Sequence, residues 1–355
     1  MLLTILTAMA LSANTPEVFY IGTYTRPGAS QGIYRSALDP KTGKLSAPEL
    51  AAKAENPSYL AVHPNGKALY AVLEFTAGEV AAYAIRPDGG LDPLNRQSWK
   101  GGGPCHVGID AKGEYLLASA YGQGSLGCFP VEADGRLGPV ASEFQNQGSG
   151  PNRQRQEGPH LHSAYFFDGR VLACDLGTDQ ILLFGFQKGQ LAPKPFVRAQ
   201  PGGGPRHLAF HPNGKTVYAN LELGNAVCAY AWDGSALTLR QTLKTLPEGT
   251  DETGKTTAAI LCHPNGKRLY VSNRGHDSIA VFAIASDGRL RLSGVFPAGV
   301  KEPRGMALDP QGKWLVVAGQ NSGDAVSLRI DSRTGRLSEP VSRIRVGSPV
   351  CIAFR

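Results

Sequence analysis

Apolar and polar residues alternate along nearly the whole chain in short runs that come in pairs, each pair joined by a tight turn. The clearest pair is Pro205-Arg206-His207-Leu208-Ala209-Phe210-His211-Pro212-Asn213-Gly214-Lys215-Thr216-Val217-Tyr218-Ala219-Asn220-Leu221-Glu222. Alternation with period two predicts strands, and Asn213-Gly214 supplies the positive φ angles of a hairpin turn. The two ends of the pair therefore meet on one rim, with Arg206 opening the outgoing strand and Glu222 closing the return.

The phrase recurs at Pro57 to Glu74 and Thr257 to Arg274 with the turn HPNGK, and at Pro104 to Tyr121 with DAKGE. It returns at Pro159 to Asp175 with FFDGR and at Pro303 to Gln320 with DPQGK, and a half copy, Pro349 to Arg355, ends the chain. Successive starts lie 46 to 55 residues apart, and two further strand-like runs follow each complete phrase. Four short strands at that period predict an all-β, seven-bladed β-propeller of four-stranded antiparallel blades. Pro16 to about Glu55 lacks an opening strand: it offers Val18 to Thr23, Gly32 to Leu38 and one strand after Lys41-Thr42-Gly43-Lys44. The final half copy supplies it, so the ring is predicted to close by the C-terminal strand joining the N-terminal blade, removing an open edge. Residues 16 to 355 are read as a single domain. The longest spacing, Pro104 to Pro159, contains the polar insertion Glu143 to Gly158, either a cover for a site or an excursion without structure.

Composition agrees with a turn-rich globular β fold: 42% of residues are hydrophobic, 18% are charged, and 44 Gly and 25 Pro serve the turns. The formal charge of +7 can draw anionic small molecules, but Lys and Arg are scattered rather than gathered with aromatics, so no nucleic-acid partner is expected. Cys105, Cys128, Cys174, Cys228, Cys262 and Cys351 sit in different repeats without zinc-ligand spacing and read as small buried apolar residues. Leu2 to Ala13 (LLTILTAMALSA) is too short to span a bilayer and ends in small residues, so residues 1 to 15 are read as a secretory leader. No Lys or Arg precedes this run, and an extra strand or a misassigned start is the competing reading. A periplasmic or secreted protein is expected, with a cytoplasmic one as the alternative. No membrane association is expected after leader removal, and the protein is expected to be a monomer or weak dimer.

In a propeller the outgoing strand of each phrase lines the central channel, so all starts and returns share one face and all HPNGK-type turns share the other. The return ends carry Glu74, Tyr121, Glu222, Arg274 and Gln320, with Asp175 and Asp179 at the corner of the short copy. The starts add His106, His160, His162, Arg206, His207 and Arg304. Polar variety on this face against repetition on the other points to the binding face. Gly101-Gly102-Gly103 and Gly202-Gly203-Gly204 lie there too, with backbone that could offer N–H groups to an anion or simply turn. His160 and His162, two apart, are expected on one side of a strand. Arginine forks suit carboxylate or phosphate, whereas Glu and His can exchange protons. The cluster fits chemistry on an anionic small molecule, or an interblade salt-bridge network. No metal-ligand motif and no cofactor motif is present.

The runs Gln154-Arg155-Gln156-Glu157-Gly158-Pro159-His160-Leu161-His162-Ser163, Asp175-Leu176-Gly177-Thr178-Asp179, Gly204-Pro205-Arg206-His207, Asn220-Leu221-Glu222-Leu223 and Ser272-Asn273-Arg274-Gly275 resemble the seven-bladed lactonase family. That family includes propeller-type 6-phosphogluconolactonases and fungal carboxy-muconate lactonizing enzymes. The resemblance implies a catalytic set of His160 or His162, Arg206, Glu222 and Arg274, around which Arg155, Asp175, Asp179, His207, Asn273 and Gln320 are expected to bind substrate. It implies a metal-independent lactonase acting on a sugar lactone, 6-phosphogluconolactone foremost, with Glu222 or a motif histidine as general base. Arg206 and Arg274 would hold the anionic group and the oxyanion, and their loss is expected to spare thermal stability. A muconate-type cycloisomerase and a non-catalytic binding propeller are the alternatives. Two departures are Thr256-Thr257-Ala258-Ala259, where many relatives carry an acid, and Gly319-Gln320-Asn321 in place of a common asparagine.

Overall fold

The computed structural model describes residues 15–25 and 29–355, and these form seven four-stranded antiparallel sheets. The leader, Leu2 to Ala13, lies outside the described residues. Blade one holds Glu17–Thr23, Gly32–Leu38 and Glu49–Lys53; the others run from Leu60 to Ser98, Pro104 to Gln145, Leu161 to Arg198, Pro205 to Lys244, Thr256 to Pro297 and Pro303 to Arg345. Pro349–Phe354 pairs with Glu17–Thr23, Ile21 facing Ile352 and Tyr20 facing Ala353, and so becomes the inner strand of blade one. The predicted closure is the observed one.

Middle strands are buried on both faces, which is why Ala68–Leu73 reads ALYAVL without a polar residue, whereas the outermost Gln190–Arg198 is largely exposed. Each core cluster joins neighbouring blades, as where Leu172 and Cys174 meet Val217, Ala219 and Tyr230. Polar clamps repeat the same joint. Tyr20, Tyr70, Tyr218 and Tyr270 donate their buried hydroxyls to the carbonyls of Gly89, Gly135, Gly288 and Gly335 in the next blade.

The histidines of the HPNGK turns form a second clamp. His63 Nδ1 accepts the Asn65 N–H and Nε2 meets the Gly113 carbonyl at 3.1 Å; His211 and His263 repeat this with Gly266 and Gly312 at 2.9 and 2.8 Å. An Nδ1 that accepts an N–H carries the lone pair, so each ring is neutral with its proton on Nε2. These turns repeat because each one joins the blade that follows. All six cysteines are unpaired, five of them buried and Cys262 half-buried.

Val350, Cys351 and Ile352 are buried in the closing strand. Truncation after Gly347 should therefore cost on the order of 5 kcal/mol of unfolding free energy from lost apolar burial. Denaturant titration measures it, and an unchanged midpoint in the shortened chain would contradict this closure.

Candidate active site

The inner strands carry a feature that strict alternation hides. Between Pro205 and His207 the register against the second strand slips by one residue, which leaves Arg206 as the extra residue of a β-bulge. The same slip isolates Cys105, His162 and Arg304 in blades three, four and seven. A bulge bends the strand and re-aims the side chain it carries. The bulges thus stand at one level around the channel mouth.

At blade five the bulge puts the Arg206 Nε 2.9 Å from Glu222 Oε2. Arg274, ending the second strand of blade six, brings Nη2 to 3.1 Å from Glu222 Oε1, and Arg155 brings Nη2 to 2.6 Å from the same oxygen. Glu222 and Arg206 are both 2% exposed. Burial would raise the Glu222 carboxyl, but Arg274, Arg206 and Arg155 outweigh it and hold it down to about 2. Arg206 also donates to the Ala258 carbonyl. Removing it would strip a buried carboxylate of a partner, so the expectation that its loss spares stability does not survive its burial.

Arg155 arrives on the polar insertion, which is ordered. Gln156, fully buried, pins it by donating Nε2 to the Leu176 carbonyl and to Asp179 Oδ1, both at 2.8 Å. Asp179 also accepts the Gly202 and Gly204 N–H groups at 2.7 and 2.8 Å. The anion cradled by this triple glycine is therefore the protein's own carboxylate. Gly204 in turn accepts the Glu222 N–H at 2.7 Å, which ties the glycine loop to the end of the strand that bears Glu222. Asp175 accepts the backbone N–H groups of His160, Gly177 and Thr178. A Cβ on Gly177 would lie 1.9 Å from the Gly158 carbonyl oxygen, so only glycine lets the insertion dock there.

His160 lies on the blade-three side of this cluster. Its ring stacks on Tyr121, centroids 4.3 Å apart and planes at 10°, and the Tyr121 hydroxyl accepts from Arg155 Nη2 at 3.2 Å. His160 Nδ1 donates to the Tyr121 carbonyl at 2.8 Å, leaving Nε2 toward Glu157 Oε1 at 3.1 Å. His162 faces inward instead, against His207 and Cys105. Burial and Arg206 push His162 and His207 well below the usual imidazole range and His106 down to about 3, so these three rings are neutral.

Of the residues expected from sequence, Arg155, Arg206, Glu222 and Arg274 converge, with His160 reached through Tyr121. His162 and His207 lie deeper in the channel. Asp175 and Asp179 hold backbone, as does Asn273, whose Nδ2 donates to the Thr245 carbonyl and Ser278 Oγ. Gln320 stands in blade seven, its Oε1 buried without a partner. Tyr121, Gln156 and Glu157 were missed as site residues, although Gln156 and Glu157 fall inside the motif run and Tyr121 occupies the return position shared by Glu222. Among the described residues no group of three or more His, Cys, Asp or Glu side chains is arranged to hold a metal ion.

A closed seven-bladed ring whose channel mouth grips one buried carboxylate with three guanidinium groups defines a propeller built to handle anionic or polarised oxygen. The family model described as "Lactonase, 7-bladed beta-propeller" matches residues 18–354, and the chain belongs to that family. It is 38% identical over 347 residues to the 6-phosphogluconolactonase of Bacillus subtilis strain 168, covering 96% of this chain and 99% of that one. With the 6-phosphogluconolactonase of Formosa agariphila it shares 35% identity over 338 residues, 90% of this chain and 94% of the relative. The solved periplasmic gluconolactonase of Pseudomonas aeruginosa superposes with a TM-score of 0.90 at 30% identity, covering 96% of this chain and 99% of that one.

The Glu222 carboxyl, held at about 2, sits below its unfolded value, so its stabilising effect is full above the ordinary carboxylate range and fades as pH falls toward about 2. Glu222→Gln should therefore cost on the order of 3 kcal/mol near neutral pH. The gap from wild type should close progressively in acid, as read by denaturant titration at a series of pH values. A gap that stayed constant with pH would show that the charge is not what stabilises.

Proposed function

We propose that the protein hydrolyses a sugar lactone to its aldonate, with 6-phosphogluconolactone the first substrate to test. The observation that carries this is the convergence of Arg155, Arg206 and Arg274 on Glu222 beside a histidine whose Nδ1 is fixed by a carbonyl. The names of the Bacillus and Formosa relatives support the same substrate class. The cluster turns into the channel mouth, which removes the reason to prefer a non-catalytic propeller.

Ring opening needs a base for the attacking water, stabilisation of the tetrahedral oxyanion, and a proton for the departing ring oxygen. Glu222, held at about 2, is a poor base and acts as the counter-ion that fixes the arginines. His160 is the base: with Nδ1–H on the Tyr121 carbonyl, Nε2 takes the water proton, and Glu157 steadies the imidazolium that results. Glu157, with 60% of its side chain exposed, is free to swing and admit substrate. Among the described residues Arg155 Nη1 and Arg274 Nε have no hydrogen-bond partner, so N–H groups remain for the developing oxyanion. The proton held on His160 Nε2 then passes to the ring oxygen as the C–O bond breaks, leaving a carboxylic acid that ionises.

Export is the localisation the leader run and the periplasmic Pseudomonas relative support. In that compartment a lactone with a carboxylate, or none, replaces the phosphorylated one.

A panel of phosphorylated and unphosphorylated sugar lactones with a muconate control, assayed on purified protein, tests the reading. His160→Asn should lower kcat by roughly 10²–10⁴-fold with an unchanged thermal midpoint, whereas His162→Asn should leave the pH profile of kcat in place. Wild-type protein without lactone hydrolysis, or His160→Asn with full activity, would refute it.

A further inference from the structure

The repeat provides its own comparison. Blades five and seven open with Pro-Arg, and in both the arginine is the bulge residue of the inner strand. The return strand of blade five delivers Glu222 to that arginine, whereas the equivalent position in blade seven is Gln320. The consequence is visible in the contacts. Arg206 is paired to Glu222, while among the described residues Arg304 has no hydrogen bond and no carboxylate within ion-pair distance. Its nearest feature is the ring of Tyr24, 5.4 Å from the guanidinium carbon.

What surrounds Arg304 is arranged to keep it that way. Glu74, the carboxylate at the return position of blade two, accepts from the Tyr24 hydroxyl at 3.0 Å and from Ser58 Oγ, so it is occupied elsewhere. Gln320 presents a buried Oε1 with no partner, and Arg274 a buried Nε with none, its nearest carboxylate being Glu302 at 3.9 Å. A half-buried cation without a counter-ion is costly in the empty protein unless a ligand anion completes it.

We propose that Arg304 binds an anionic group at the end of the substrate remote from the lactone carbonyl. The mouth then has two sectors. Blades three to six carry the hydrolytic cluster of His160, Arg155, Arg206, Glu222 and Arg274, and blades seven, one and two carry the anion subsite of Arg304, Tyr24 and Gln320. In a six-carbon aldonic lactone the remote group is a phosphate ester or a terminal carboxylate, and a guanidinium fork takes either. The assignment takes its ligand class from the sugar-lactone reading, but it is tested by binding of the open-chain acids and needs no turnover.

Titration calorimetry with 6-phosphogluconate, glucarate and gluconate distinguishes the two sources of charge. Wild type should bind at least one of the doubly charged acids about tenfold or more tightly than gluconate, and which one it prefers identifies the remote group. Arg304→Gln should erase that preference, and Arg304→Lys should keep part of it. An unchanged or higher thermal midpoint is expected for Arg304→Gln, since no bond within the protein is lost. Equal wild-type affinity for all three acids, or a preference that persists in Arg304→Gln, overturns the subsite. Absence of lactone hydrolysis alongside a preference that Arg304→Gln abolishes would leave the subsite standing and sink the lactonase reading instead.

Discussion

Three guanidinium groups from blades five and six and from an insertion cannot share one channel mouth without a negative charge among them, and Glu222 is that charge. Much of the surrounding architecture exists to deliver this carboxylate. Its backbone hangs from Gly204, Gly204 from Asp179, and Asp179 from Gln156, which in turn anchors the insertion that brings Arg155. The chain of bonds closes on itself, since Arg155 returns to Glu222. Loosening any member moves the others, because a buried ion network tolerates little change in geometry.

The ring makes such a cluster possible. Each blade presents the same return position to the mouth, and the seven-fold repeat turns residues far apart in the chain into neighbours. Tyr121, Asp175, Glu222, Arg274 and Gln320 are one structural position written five ways. The opposite face shows what happens when the position has only a joining role: His63, His211 and His263 repeat the same two hydrogen bonds to the same partners. Variation and uniformity thus divide the two faces by physical task.

Much of this was legible in the chain. Alternation and Asn-Gly turns carry strand positions, and the half copy at Pro349 announces closure because a strand without a partner in its own repeat must find one elsewhere. The convergence of Arg206, Glu222 and Arg274 also follows from repeat arithmetic. Other features were hidden for definable reasons. A bulge leaves no mark in a period-two pattern, so the inward aim of His162 and the re-aimed Arg206 could not be read from spacing. The part played by Gln156 depends on a backbone carbonyl twenty residues away, and that carbonyl has no sequence signature. The triple glycine suggested anion binding, and an anion is indeed bound, but it is Asp179.

The same electrostatics assign roles that residue type leaves open. Glutamate and histidine can each serve as a base, and both stand at this mouth. A carboxylate encircled by three cations loses its affinity for protons, and its value lies in holding those cations in place before substrate arrives. Histidines sunk beneath the same cations lose theirs as well, which removes His106, His162 and His207. His160 escapes because it is turned toward Tyr121 and Glu157 instead of down the channel, and a nearby carboxylate favours the protonated ring that the arginines oppose. Base and oxyanion donors are thereby separated by a single aromatic ring, close enough to act on one carbonyl carbon and far enough apart for the imidazolium to form.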